Sequence, residues 1–112
     1  MPLLPLQLIF SHNLANLIMF ANSKNIGVSV REVERTKEQQ ALYFKSGKSH
    51  SMESQHLKSL AVDLFFFYPT SLKQLTLPSE LEPFVTHWKE LDVRNRCGAD
   101  WGWDWCHYEM LG

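Results

Sequence analysis

Cysteine is scarce in this chain: Cys97 and Cys106 are the only two in 112 residues. That excludes the disulfide framework that staples small secreted domains. Both fall near the residues singled out below and could pair, but free thiols are the default expectation. A surplus of either charge is lacking as well, the formal net charge being −1. Binding to phosphate backbones is driven by clustered Lys and Arg, so nucleic acid is not an expected partner. There are no internal repeats and no low-complexity segment. The opening Met1-Pro2-Leu3-Leu4-Pro5-Leu6 has no basic flank of the signal-peptide kind. No uninterrupted run approaches the ~20 apolar residues needed to span a bilayer. The expectation is synthesis in a cytoplasm without a signal peptide, and no stable membrane insertion.

What is present describes an ordinary globule, 45% hydrophobic and 21% charged, long enough for one domain over residues 1–112 with a core of its own. Residues from about Leu6 to Asn25 carry Phe10, Leu14, Leu17, Ile18 and Ala21 at spacings of three and four, which predicts a packing helix. Gly27 to Arg35, with Val28, Val30 and Val33, reads as a strand with a bulge. Thr36 to Gln39 fits a capping box for a helix through Ala41, Leu42, Tyr43 and Phe44, ended by Gly47. Lys48 to Gln55 reads as a loop, and Leu60 to Tyr68 as a central buried strand. A further helix is expected to begin between Ser79 and Pro83, with Pro83 suited to its first position and Leu81, Phe84, Val85, Trp88 and Leu91 as its core stripe. Gly98 to Gly102 is expected to turn the chain into a closing strand.

Asp63 is the most telling residue, because a carboxylate inside an apolar strand is costly unless it is paired or bound to a cation. Upstream stands His56 and near the C-terminus His107. Two imidazoles and a carboxylate are the donor set of a catalytic zinc site, which takes three protein ligands and leaves a fourth place for water. We read His56, Asp63 and His107 as the three ligands of a Zn2+ ion. Asp104, three residues before His107, has the reach of a general base toward that water. Glu109 would share a strand face with His107. It suits a carboxylate that buttresses the imidazole, and it is the runner-up for the base. Cys106 adjoins His107, and in an extended strand the two would point to opposite faces, which argues against both binding one ion. Trp101, Trp103 and Trp105 alternate, so an extended backbone would set them on one face, as a groove wall or as core.

The order Ser54-x-His56, Ala61-x-Asp63 and Asp104-x-x-His107 resembles the zinc peptidases that cut bacterial cell-wall peptides at D-amino-acid bonds. These comprise VanY-type D-Ala-D-Ala carboxypeptidases, D-Ala-D-Ala dipeptidases and phage L-alanyl-D-glutamate endopeptidases, and they share a core fold with the hedgehog signalling domain. Arg35-Thr36-x-x-Gln39 and Gly47-Lys48-Ser49 extend the resemblance over roughly residues 27 to 110. It implies an α+β fold, a small antiparallel sheet flanked by helices. The implied activity is hydrolysis in the peptide stem of peptidoglycan by a zinc metallopeptidase, most closely an L-alanyl-D-glutamate endopeptidase of the phage or prophage lysis type. It further implies a monomer that acts on the wall after release. Arg35 matches the arginine that binds substrate and stabilises the oxyanion, Asp104 the base, and Ser54 and Gln39 polar contacts to the peptide. The family often carries Gly where Ser59 stands, and the final loop is short. A D-Ala-D-Ala carboxypeptidase or dipeptidase, and a non-catalytic hedgehog-like zinc domain, are the alternatives.

Overall fold

The computed structural model describes residues 2–31 and 58–112. Helix α1 spans Leu3–Ser23 and leads into strand β1, Gly27–Val30. Strand β2, Ala61–Phe67, precedes helix α2, Pro78–Leu91. Strand β3, Asn95–Cys97, a short 3-10 turn at Gly98–Trp101 and strand β4, His107–Met110, complete the described order. The strands form an antiparallel sheet in the order β1-β2-β4-β3, so the class is α+β as expected.

Alternation along β2 decides which side of the sheet does what. Val62, Leu64 and Phe66 are buried, while Asp63, Phe65 and Phe67 between them are only partly so. Successive side chains of a strand point to opposite faces. The Val62 side therefore joins the core, built with Leu6, Phe10, Leu17 and Ala21 of α1 and Leu81, Phe84, Val85 and Trp88 of α2. Aromatic rings bind the layers: Phe66 stacks on Phe84 with centroids 4.4 Å apart, and Trp88 meets Phe10 and Tyr108 edge-on at 5.6 and 6.0 Å. The other side of the sheet is left for Asp63 and its neighbours.

Several expectations are corrected here. In α1, Leu14 and Ile18 are only half-buried, while Leu6 and Asn13 join the buried stripe. By length and composition α1 is also long and apolar enough to cross a membrane, and 22% of its most apolar stretch is buried within the protein. Counting uninterrupted apolar runs missed this, because its interruptions are uncharged Gln, Ser, His and Asn. The core helix of a soluble protein and a signal sequence both meet that measure.

Helix α2 starts at Pro78, whose missing N–H costs nothing at the first helical position. Its cap is Glu80, whose Oε1 accepts from the main-chain N–H groups of Leu77 at 3.1 Å and Thr76 at 3.3 Å. Pro83 thus falls inside the helix, and the carbonyl it leaves unpaired is that of solvent-exposed Ser79, which water can satisfy. Strand β1 covers Gly27–Val30; residues 32–35 of the expected strand, with the expected helix through Phe44 and the loop to Gln55, lie outside the described residues. Strand β3, only three residues long, lies where the sequence carries no alternation long enough to read. Ser59 holds a left-handed φ of +54°, a conformation that glycine adopts without steric cost.

Candidate metal centre

Asp63 and His107 are directly opposed across β2 and β4. The main chain fixes Asp63 from both sides: its carbonyl accepts from Arg31 N–H at 2.9 Å, and the next residue, Leu64, donates to the Cys106 carbonyl at 2.9 Å. The ring of His107 turns Nδ1 toward Asp63 Oδ1 at 3.5 Å. Two donors bound to one tetrahedral ion at about 2.0–2.2 Å each stand about 3.3–3.6 Å apart. The observed gap is the edge of such a coordination sphere and longer than a good hydrogen bond.

Glu109 follows two residues along β4 on the same face, and its Oε1 lies 2.6 Å from His107 Nε2. Opposite Glu109 on β3 stands Arg96, which sends Nε and Nη2 to Oε2 of the same carboxylate at 3.1 and 2.6 Å. Four polar side chains on three strands thus line one face of the sheet in the order Asp63, His107, Glu109, Arg96. Beneath them Trp88 donates its indole N–H to the carbonyls of Arg96 at 2.9 Å and Glu109 at 3.1 Å.

This face attracts a cation. Burial alone would lower the pKa of His107, but the carboxylates of Asp63 and Glu109 outweigh it and hold the ring at about 9. Without a metal, the imidazole therefore holds a proton between the Asp63 and Glu109 carboxylates. Burial opposes the Glu109 charge as well, yet hydrogen bonds from His107 and Arg96 keep its pKa below the ordinary value. The thiols behave differently. Burial pushes Cys97 up to about 12 and Cys106 up to about 11, the latter helped by the charges of Asp104 and Asp63 on either side. Both cysteines are free.

Asp104 lies between the 3-10 turn and β4, three residues before His107, and its carbonyl accepts from His107 N–H at 3.3 Å. Its own N–H donates to the Gly98 carbonyl at 3.4 Å. The approach is so close that a Cβ on Gly98 would overlap the Asp104 carbonyl oxygen and come within 2.7 Å of the Asp104 Cβ. The turn is tied down by the Lys89–Asp100 ion pair at 2.7 Å and closed by Gly102 at φ +86°. The backbone from Gly98 to Gly102 is therefore not extended, so the alternation expected of the tryptophans does not apply. Trp101 and Trp103 are exposed, and Trp105 is half-buried against the core. Trp101 borders His107 with ring centroids 5.7 Å apart.

Of the expected ligands, the structure brings Asp63 and His107 together. His56, along with Arg35, Gln39 and Ser54, lies outside the described residues. Among the described residues no group of three His, Cys, Asp or Glu side chains could hold a metal ion. The pair nevertheless fits two corners of a zinc site in donor type and separation. Arg96 escaped the sequence reading, because its link to Glu109 depends on the β3–β4 register and on no local spacing.

The fold places the chain beside a solved L-Ala D-Glu endopeptidase. That protein is ChiX of Serratia marcescens, similar at a TM-score of 0.67 and 19% identity over 88% of this chain and 77% of its own. At that identity the likeness shows the fold alone. No family model and no curated protein matches the chain.

Proposed function

We propose that the chain is a single zinc metallopeptidase domain that hydrolyses the peptide stem of peptidoglycan, as an L-alanyl-D-glutamate endopeptidase of the lysis type. The observation that carries the reading is the 3.5 Å opposition of Asp63 and His107, found in a fold shared with an L-Ala D-Glu endopeptidase. Asp63, His107 and His56 would hold the ion. Zinc bound there would lower the pKa of a water molecule to about 7 and polarise the scissile carbonyl. Asp104 removes the water's proton and returns it to the leaving amine. Arg35 offsets the negative charge that develops on the carbonyl oxygen as the amide carbon becomes tetrahedral, and Ser54 and Gln39 bind the peptide. Glu109 orients His107. The enzyme works as a monomer and reaches the wall after release from the cytoplasm in which it is made.

Mass spectrometry of purified peptidoglycan after incubation with the zinc-loaded protein tests this. New amino termini at D-glutamate are expected, and Asp104→Ala should keep its metal while losing turnover by about 10²–10⁴-fold. Zinc binding with no cleavage of any muropeptide would sink the proposal. Release of free D-alanine from a pentapeptide would replace it with a D,D-carboxypeptidase.

A further inference from the structure

We infer that Arg96 is a positioning residue, which acts through Glu109 to set the ring of His107 for metal binding; the inference rests on the metal site proposed above. Both guanidinium N–H groups fall on a single oxygen, Oε2, and leave Oε1 for His107 Nε2. A carboxylate held in this way cannot rotate without breaking both contacts to Arg96 and the contact to His107 together. With Nε2 committed to Glu109, Nδ1 is the nitrogen that faces Asp63. The Trp101 ring lies beside both ends of the chain, 5.8 Å from the guanidinium carbon and 5.7 Å from the imidazole. Trp88 secures the two main chains from the opposite face.

Burial explains why an arginine is needed. The Glu109 side chain is 6% exposed and that of Arg96 is 47% exposed. A carboxylate so withdrawn from water needs a cationic partner to stay ionised, and Arg96 brings one in from the solvent edge. Its positive charge also repels a divalent ion. Half in water, however, the guanidinium is well screened, whereas loss of its fork frees the carboxylate that aims the ligand. Orientation outweighs repulsion, so removing Arg96 should weaken metal binding.

The zinc dissociation constant of the full chain, measured by competition with a chromogenic chelator, tests this sign. Glu109→Gln should bind about 10–100-fold more weakly, in line with other carboxylates that support a ligand histidine, and Arg96→Ala about tenfold more weakly. Arg96→Lys, which keeps the charge but not the fork, should fall between Arg96→Ala and wild type. In the zinc-loaded protein the slowly exchanging His107 Nε2–H signal should broaden in Arg96→Ala, which a purely structural role for the arginine would not cause. Affinity equal to or tighter than wild type in Arg96→Ala overturns the inference. If that variant does not fold, wild-type affinity in Arg96→Lys together with an unchanged Nε2–H signal overturns it instead. A wild-type chain that binds no zinc removes the proposed function itself, so the two failures are distinct.

Discussion

Stripping the metal should leave a pH-dependent weakness centred on His107. Its pKa rises from the ordinary 6.5 to about 9 in the folded chain, a difference of 9 − 6.5, or about 2.5 units. At 1.36 kcal/mol per unit the protonated imidazole contributes about 3 kcal/mol, and with the side chain 8% exposed there is little solvent screening to discount. The same attraction lowers the Glu109 pKa, so the two are one contribution and not a sum. Because the folded pKa is the higher one, the stabilisation is complete below pH 6.5 and is lost as pH rises through about 9. Urea unfolding in excess chelator from pH 6 to 10 should show that fall, equivalent to roughly 10 °C in melting temperature for a chain of this size. His107→Gln should flatten the profile. Zinc binding at pH 7.5 should also release about one proton from this ring, read by calorimetry in buffers of different ionisation enthalpy. A wild-type stability that is level or rising between pH 7 and 9.5 would refute the reasoning.

Two substitutions probe the supports beneath the site. Gly98→Ala puts a methyl group into Asp104. It should cost about 1–3 kcal/mol of stability and displace the proposed base, so that turnover falls more than zinc affinity; unchanged kcat would contradict that placement. Trp88→Phe keeps most of the packing but removes the donor shared by the Arg96 and Glu109 carbonyls. The urea midpoint should report a loss of about 1–3 kcal/mol, and no measurable loss would show that water replaces the indole.

Much of the fold was legible because its elements advertise themselves locally. The stripe Phe10, Leu17 and Ala21 follows the helical period, the run Ala61–Phe67 is apolar over the length of a buried strand, and Asp63 stands out as a charge within it. Pro83 misled because two prolines compete for one helix start and Pro78 wins, with Glu80 as the deciding cap. Trp101 and Trp103 misled for the opposite reason: alternation is informative only on an extended backbone, and Asp100 with Gly102 folds that stretch into a turn. That Asp63 and His107 meet is a matter of register between strands more than forty residues apart in sequence, which no single-chain pattern encodes. The family resemblance supplied that pairing, while Arg96 had neither pattern nor resemblance to reveal it.

The division of β2 into a fully buried side and a half-buried side that carries Asp63 makes the protein intolerant of a shift by one residue. A single insertion or deletion within Ala61–Phe67 would turn Val62 or Leu64 toward solvent and drive Asp63 under the helices. Substitutions on either side leave that parity intact. Drift in this protein should therefore be frequent in side-chain identity and rare in the length of that segment.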